Sequence, residues 1–207
     1  ESWRSWIIED DYDGEYRFQG QPIPALQGIG ASNRVVYVGT FAKILFPAMR
    51  LGFMVAPKAI DHTIVSALSV SGQFAPLLTQ AALADFMNEG HFTRHLRRMR
   101  RLYAERRQFF LESAQRHLGE WLDFHTTESG IQVVGIFRDR CSDRAVAEAA
   151  LQHGINVSAL SIQYRHGTEQ NGLVMGFAAA DEQTTEKTMQ KFRTVLQSHF
   201  SRMNNTG

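Results

Sequence analysis

A lysine with two side chains suited to phosphate is the part of this sequence best fitted to chemistry. Lys43 follows an apolar run at residues 35–38, and Thr40 and Arg50 lie in the same short segment. The run ends at a glycine and predicts a buried strand, and ligands of α/β folds bind where such strands end. There a largely desolvated lysine can act as an amine nucleophile. Amine, hydroxyl and guanidinium together suit an aldehyde that carries a phosphate, because the amine can form a Schiff base while the other two hold phosphate oxygens.

An acidic cluster with a tyrosine, EDDYD at residues 9–13, lies upstream of this lysine. Asp10 offers the carboxylate that a protonated pyridine nitrogen needs, and Tyr12 offers a phenol for a ring hydroxyl. The alternative interpretation of Lys43 is a surface lysine after a turn, since most lysines are exposed. The combination of these side chains favours a ligand site over that alternative.

Three stretches of the sequence follow one another in an order that indicates a family. They are IIEDDYDGEYRF followed by PALQ, then RVVYVGTFAKILFPAMRLGF, then GHFTRHLRRMRRLYAERR at residues 90–107. In this order they resemble the pyridoxal phosphate (PLP) domain of the MocR-type, GntR-family transcriptional regulators. Those domains are similar to fold type I, class I/II aminotransferases. The third stretch points to the MocR branch, and the resemblance extends from about Trp6 to the final helix.

The resemblance implies a role for each of the side chains named above. Lys43 would be the Schiff-base lysine, and Asp10 would be the partner of the pyridine nitrogen. Tyr12 would bond the ring oxygen O3′, while Thr40 and Arg50 would bind the phosphate. The cofactor implied is pyridoxal 5′-phosphate.

Two positions depart from the pattern of the family. Ala42 stands where a serine is usual, which removes one hydrogen bond to the phosphate. Val174 stands where aminotransferases usually have an arginine that grips the substrate carboxylate, a contact that apolar residues replace poorly. Arg165 is the nearest candidate to bind an effector carboxylate instead, with a plain loop cation as the alternative. The missing arginine favours effector sensing over transamination.

The predicted fold class is α/β, as the C-terminal part of a fold type I aminotransferase-like domain. Residues 1–90 are predicted to complete the PLP-binding large domain, 91–118 to form a long connecting helix, and 119–207 to form a small α+β domain. Residues 17–30 are predicted to be a loop. Apolar periodicity predicts the following strands and helices. The strands lie at 6–9, 35–38, 51–56, 122–125, 131–137, 155–158 and 173–178, and the helices at 58–70, 76–88, 92–117, 142–153 and 181–200.

Composition and charge do not indicate a membrane or nucleic-acid-binding protein. The net charge of +1 gives no overall argument for nucleic acid or membrane binding, and no apolar run approaches the length of a membrane span. The single cysteine, Cys141, fits a reducing compartment, so we expect a cytoplasmic protein.

His91 and His95 have the spacing of metal ligands, but the arginines around them would repel a cation, and no metal is expected. The arginines of residues 94–107 suit either a phosphate or nucleic-acid surface or an ordinary solvated helix face.

The sequence supports two functions. The first is the PLP-binding sensor of a MocR-type regulator, a homodimer in which an amine or amino-acid effector alters DNA binding. The chain lacks an initiator methionine, and we expect it to be the C-terminal part of a longer protein with a winged-helix DNA-binding domain upstream. The second is an aminotransferase, in which Lys43 would move a proton of an amino-acid substrate. A third possibility is a plain α/β binding module that uses neither PLP nor DNA. It would require the matching side chains to occur together by coincidence.

Overall fold

The structure is a computed structural model that describes residues 5–18, 20–21, 23–29, 33–125, 128–165 and 170–204, with only the backbone described for the last three. It divides into two compact units, Glu1–Met99 and Arg100–Gly207, called here the first and the second unit. In the described ranges, no helix combines the length and the apolar character needed to cross a bilayer.

The first unit is built on a three-stranded sheet with the strand order β1-β2-β3. β1 (Ile7–Asp11) runs parallel to β2 (Val35–Thr40), and β3 (Gly52–Val55) runs antiparallel to β2. The β-branched and aromatic residues of β2 suit a central strand, and Val35 and Val36 are buried. The sheet therefore takes its core from the same apolar run that precedes Lys43.

Three helices accompany this sheet in the first unit. They are α1 (Leu26–Ile29), α2 (Lys58–Ser71) and α3 (Leu77–Asn88). α2 ends at Gly72, whose φ of 65° lies in the left-handed region that closes helices and that a glycine adopts without steric cost. The helix predicted at residues 58–70 therefore ends at a glycine cap.

The fourth helix, α4 (His91–Leu118), begins in the first unit and ends in the second. It corresponds to the predicted connecting helix, and the division between the units falls inside it. Its C-terminal half buries Phe110, Ala114 and Leu118 in the core of the second unit. The three-part division of the chain into domains stays a prediction.

The second unit is an antiparallel four-stranded sheet with the order β4-β5-β7-β6 and two helices. The strands are β4 (Leu122–His125), β5 (Gln132–Phe137), β6 (Ser158–Ala159) and β7 (Gly172–Gly176), and the helices are α5 (Asp143–Gln152) and α6 (Glu182–Asn204). The predicted order of strands and helices is confirmed. Ser142 accepts a hydrogen bond from the Ala145 amide and caps α5, while Asp181 accepts one from Thr184 and caps α6.

Two predicted boundaries in the first unit are wrong, and both errors involve carboxylates. The first strand does not end at Glu9, because Asp10 and Asp11 pair with Val38 and Gly39 and continue it. The predicted loop at residues 17–30 contains α1, because the Glu9 carboxylate accepts hydrogen bonds from the backbone amides of Leu26 and Gln27 at 2.8 and 3.1 Å and caps this short helix. Acidic residues favour turns, but here Asp10 and Asp11 extend a strand and Glu9 caps a helix.

The strand predicted at residues 155–158 is shorter than expected. The Ile155 amide donates to the Ala150 carbonyl at 2.9 Å, so this residue still closes the end of α5. Pairing with β7 starts only at Ser158. The buried Asp143 accepts hydrogen bonds from the Ser161 amide and hydroxyl at 2.8 and 2.7 Å and so fixes the chain that follows β6.

The first unit exposes far more large apolar side chains than the second. None of the 14 residues of α2 is buried, and Val70, Leu77 and Leu78 are 90%, 83% and 83% exposed. The exposed large apolar residues of the second unit are Leu151 and Ile162, within the part of the chain that the structure describes. Apolar surface on this scale marks contact with another surface, so the first unit has the character of a part that packs against more protein.

Glu186 joins α6 to the C-terminal half of α4 inside the second unit. Its carboxylate accepts hydrogen bonds from the Ser113 hydroxyl at 2.6 Å and from His117 at 2.7 Å, and Arg116 lies 3.4 Å away. These hydrogen bonds, that of Ser113 first, lower the pKa of Glu186 from 4.5 to about 2. A depressed pKa in the folded state means that the charged carboxylate stabilises the fold above the unfolded pKa.

We predict that Glu186→Gln destabilises the second unit at neutral pH and weakens its response to acid. The stability that the wild-type carboxylate contributes is lost as the pH falls from about 4.5 towards 2, so the two proteins should converge there. Denaturant unfolding from pH 7 to pH 2 measures the difference. Glu182→Gln, on the same helix but without a bond to α4 among the described residues, is the matched control. A gap between wild type and Glu186→Gln that stays constant with pH would contradict the prediction.

Candidate functional site around Lys43

Lys43 lies in a tight turn directly after β2. The turn closes through a hydrogen bond from the Leu45 amide to the Phe41 carbonyl at 2.9 Å, and the Thr40 hydroxyl accepts one from the Ala42 amide at 3.1 Å. The Lys43 side chain is exposed, and its amine has no partner within the described ranges. The expected desolvation is therefore absent within this chain, and what the turn supplies is a fixed backbone with an accessible amine.

Asp10 and Thr40 lie on one face of the sheet. Asp10 is in register with Val38 on the neighbouring parallel strand, and Thr40 follows Val38 by two residues, so all three side chains share a face. Because β1 and β2 are parallel, their carboxyl ends meet at one edge, which is where ligands of α/β sheets bind. The register therefore brings the predicted carboxylate and a predicted phosphate ligand to the same edge as the lysine turn.

Asp10 differs from the carboxylates on either side of it. Glu9 caps α1, and Asp11 accepts hydrogen bonds from the Tyr37 hydroxyl at 2.8 Å and from the Gly14 amide at 2.9 Å. Burial, and then the bond to Asp11, raise the pKa of Tyr37 above its usual value, so that phenol remains a donor. The Asp10 carboxylate has no hydrogen-bond or ion-pair partner among the described residues. Of the three, Asp10 is thus the carboxylate available to a ligand.

The opposite face of the strand end is closed by aromatic rings. A Cβ atom on Gly39 would lie 2.5 Å from a ring carbon of Phe53, which is closer than any real contact. Phe53 also packs against Tyr37 and Phe41, with ring centroids 5.9 and 5.1 Å apart. Only glycine fits at this position, so the chain leaves β2 with aromatic packing on one face and the face of Asp10 open to ligand.

Arg50 holds an unusual backbone conformation beside the site. Its φ of 51° and ψ of 32° are left-handed, and it has the one positive φ of a non-glycine residue in the described ranges. Its amide donates to the Pro47 carbonyl at 3.3 Å, which closes the short 3-10 turn Pro47–Met49. The guanidinium is exposed and has no partner in the described part of the chain. Strain of this kind collects at functional sites.

The remaining predicted residues are Tyr12, which is close to Asp10 in the sequence, and Arg165, which is distant from it. Tyr12 follows β1 directly, is half-exposed, and has no partner in the described part of the chain for its hydroxyl. Arg165 belongs to the second unit and is exposed two residues after the 3-10 turn Leu160–Gln163. Val174, the position without its arginine, lies in β7 between Val134 and Ser158 of the neighbouring strands. The roles of Tyr12 and Arg165 stay predictions.

Sequence reasoning missed two residues that contact the lysine turn, Tyr16 and His95. Tyr16 is buried and its hydroxyl contacts the carbonyls of Lys43 and Ile44, while the His95 ring bonds the Ile44 carbonyl. In the sequence, His95 stands out only because its spacing from His91 is that of metal ligands. The signal that could have found both is their place in the two motifs, GEYRF and GHFTRHLRRM, that carry the family resemblance.

Comparison with known proteins finds relatives among transcriptional regulators. No family model matches the chain. It is 45% identical over 203 residues to the probable rhizopine catabolism regulatory protein MocR of Rhizobium meliloti, covering 98% of this chain and 40% of that protein. It is 33% identical over 180 residues to the pyridoxine biosynthesis transcriptional regulator PdxR of Corynebacterium glutamicum, covering 86% of this chain and 38% of that protein.

Solved structures of aminotransferases share the fold. The α-aminoadipate aminotransferase of Thermus thermophilus superimposes with a TM-score of 0.84 at 24% identity, covering 95% of this chain and 51% of that one. The chain therefore has the fold of the type I PLP-dependent aminotransferases. Within that class, it corresponds to the aminotransferase-like part of the MocR-type, GntR-family regulators. It spans about two fifths of the length of the curated relatives named above.

We predict that Arg50→Gly and Arg50→Ala differ in stability although both remove the guanidinium. Alanine keeps a Cβ in the left-handed conformation, which costs roughly 1–2 kcal/mol, whereas glycine adopts it freely but orders a more flexible residue. Arg50→Gly should therefore be the more stable variant, by up to about 1 kcal/mol. Denaturant unfolding of the two proteins measures the gap. If alanine is equally stable or more so, Arg50 does not hold a strained backbone in solution.

Proposed function

We propose that this chain binds PLP at the edge formed by β1, β2 and the lysine turn, as the sensing part of a MocR-type regulator. The observation that carries the proposal is Asp10, a carboxylate without a partner in the described ranges, on the face and edge where the exposed amine of Lys43 follows β2. The solved aminotransferase from Thermus thermophilus named above holds a phosphopyridoxyl-leucine, which supports the choice of cofactor.

The residues present fit the chemical groups of PLP. When bound, this cofactor supplies an aldehyde that amines attack and a ring that, protonated at nitrogen, withdraws electrons. Lys43 offers the amine that holds the aldehyde carbon, and Asp10 keeps the proton on the ring nitrogen by placing a negative charge beside it. Tyr12 is assigned to the ring oxygen.

Thr40 and Arg50 are assigned to the phosphate. The Thr40 hydroxyl lies 3.4 Å from the Leu51 carbonyl, which is too long for a strong O–H···O bond, so its proton can turn towards a phosphate oxygen. Arg50 adds a planar, permanently charged fork suited to two phosphate oxygens. With Ala42 in place of serine, these two side chains carry the phosphate contacts of this segment.

Sensing, in place of turnover, is the role we assign to the bound cofactor. The two curated relatives named above are regulators by name, and Val174 with its neighbour Val134 offers no cation to an amino-acid carboxylate. A small amine or amino acid is the proposed effector, with Arg165 as the candidate partner of any carboxylate. DNA binding is assigned to a part of the protein beyond these residues. A homodimer in the cytoplasm completes the proposal, and the apolar surface of the first unit supports further association.

The alternative is an aminotransferase acting on an amino acid, which the fold supports. The discriminating experiment mixes the PLP-loaded whole protein with an amino acid such as glutamate or alanine and measures oxo-acid formation in a single turnover. Stoichiometric oxo acid would favour the enzyme. A spectral change on adding an amine, without oxo acid, would favour the sensor.

We predict that Asp10→Asn affects PLP binding and that the neighbouring Asp11→Asn affects stability. Asp10→Asn should leave stability unchanged and weaken PLP binding by roughly 10- to 100-fold, because a charged hydrogen bond to the ring nitrogen is lost. Asp11→Asn should lower the free energy of unfolding by about 1 kcal/mol, through its bonds to Tyr37 and Gly14, and leave PLP binding nearly unchanged.

Thermal unfolding without cofactor and absorbance titration with PLP measure the two effects on the whole protein. The pair controls for charge, because each variant removes one carboxylate from the same strand. If the two variants bind PLP equally well, or Asp11→Asn is the weaker binder, the assignment of Asp10 fails.

A further inference from the structure

The turn that carries Lys43 leaves two backbone carbonyls in need of donors. The backbone hydrogen bond that closes it, from Leu45 to Phe41, uses the Phe41 carbonyl. The carbonyls of Lys43 and Ile44 come at the end of the turn, and the amides of Met49 and Arg50 in the following 3-10 turn donate to Phe46 and Pro47 instead. Ile44 is buried, so its carbonyl cannot rely on bulk water. Both carbonyls are instead bonded by side chains distant in sequence.

His95 supplies the better of these bonds. Its ring nitrogen Nε2 lies 2.9 Å from the Ile44 carbonyl oxygen, in the middle of the normal range for N–H···O bonds. A carbonyl oxygen can only accept, so Nε2 carries the proton in this contact. The same part of α4 also packs on the start of the turn, since Phe92 meets Phe41 edge to face with ring centroids 6.1 Å apart. α4 thus contacts the lysine turn on both sides of Lys43.

Tyr16 supplies a second but weaker contact. It is fully buried, and its hydroxyl lies 3.3 Å from each of the carbonyls of Lys43 and Ile44. One hydroxyl proton is shared between two acceptors at distances longer than usual for O–H···O bonds, so each bond is weak. Its side chain nevertheless belongs to the buried core. Tyr16 also follows the segment of Asp10 and Tyr12, and so joins that segment to the lysine turn.

We infer that His95 is a positioning residue for Lys43, which holds the turn by its bond to the Ile44 carbonyl, with Tyr16 as the secondary support. The inference rests on the proposed function for the role of Lys43, but the bond itself does not need the cofactor. Lys43 itself is exposed, and its backbone is bonded to fixed groups. The amine therefore starts from a defined Cα position, which lowers the entropy lost when it binds an aldehyde.

The test compares His95→Leu, His95→Gln and His91→Leu in the whole protein. His91 is the matched control, because it lies four residues earlier on the same helix and bonds Glu89 and Arg94 instead of the turn. Glutamine retains an N–H donor and is the conservative rescue. The reporter is hydrogen exchange of the Leu45 amide, which closes the turn, measured without PLP. The second measurement is PLP affinity by absorbance titration.

His95→Leu should speed exchange of the Leu45 amide by roughly three- to tenfold over wild type and weaken PLP binding by a similar factor, as expected for one lost hydrogen bond. His91→Leu should leave both unchanged, and His95→Gln should restore both. Tyr16→Phe should give a smaller change of the same sign. Exchange in β1 and β2 of the first unit, unchanged throughout, would show that the unit that carries these substitutions remains folded.

Equal Leu45 exchange in His95→Leu and His91→Leu, or no rescue by glutamine, would overturn the inference. The proposed function fails separately. If Lys43→Ala binds PLP as tightly as wild type while the exchange results stand as expected, His95 still holds the turn and the cofactor assignment of Lys43 is wrong. If exchange changes as expected but His95→Leu binds PLP normally while Lys43→Ala does not, the bond is structural and the positioning role is overturned.

Discussion

The parallel register of β1 against β2 is the constraint on which the rest of this site depends. Asp10 stands beside Val38, and this pairing decides which carboxylate of the acidic cluster shares a face with Thr40. Side chains alternate across a strand, so a shift of one residue would bring Asp11 or Glu9 to that face and turn Asp10 away. The shift is opposed on the other face, where Glu9 caps α1 and Asp11 bonds Tyr37. Structural carboxylates thus fix the position of the one assigned to chemistry.

Lys43 and Arg50 show a similar separation between the groups that fix the structure and the groups available to a ligand. Each presents an exposed charged side chain, and each has a backbone fixed by contacts that do not involve that charge. For Lys43 these are the turn itself and the bonds from Tyr16 and His95, and for Arg50 they are the left-handed closure of the 3-10 turn. A site that binds a phosphorylated aldehyde benefits from this arrangement, because the backbone entropy of the residues that carry the charges is lost on folding and not on binding.

Local patterns in the sequence predicted much of this arrangement. Examples are the apolar run of β2, the lysine after it and the long helices, which appear where the sequence indicated them. The extension of β1 to Asp11 was missed because aspartates favour turns, and only pairing with β2 and the bond to Tyr37 outweighs that tendency. The desolvation expected of Lys43 is absent within this chain, because exposure depends on which surfaces pack around the turn. Tyr16 and His95 were missed as supports because they act over 28 and 51 positions of sequence, a separation that no local pattern reports.

Covalent trapping tests the central claim most directly. The whole protein is saturated with PLP, reduced with borohydride and digested, and the peptides are mapped by mass spectrometry. The account predicts one phosphopyridoxyl group, on Lys43, and no such label in a Lys43→Ala variant treated in the same way. A label on another lysine, such as Lys58 at the start of α2, or equal labelling of the Lys43→Ala variant, would contradict the account.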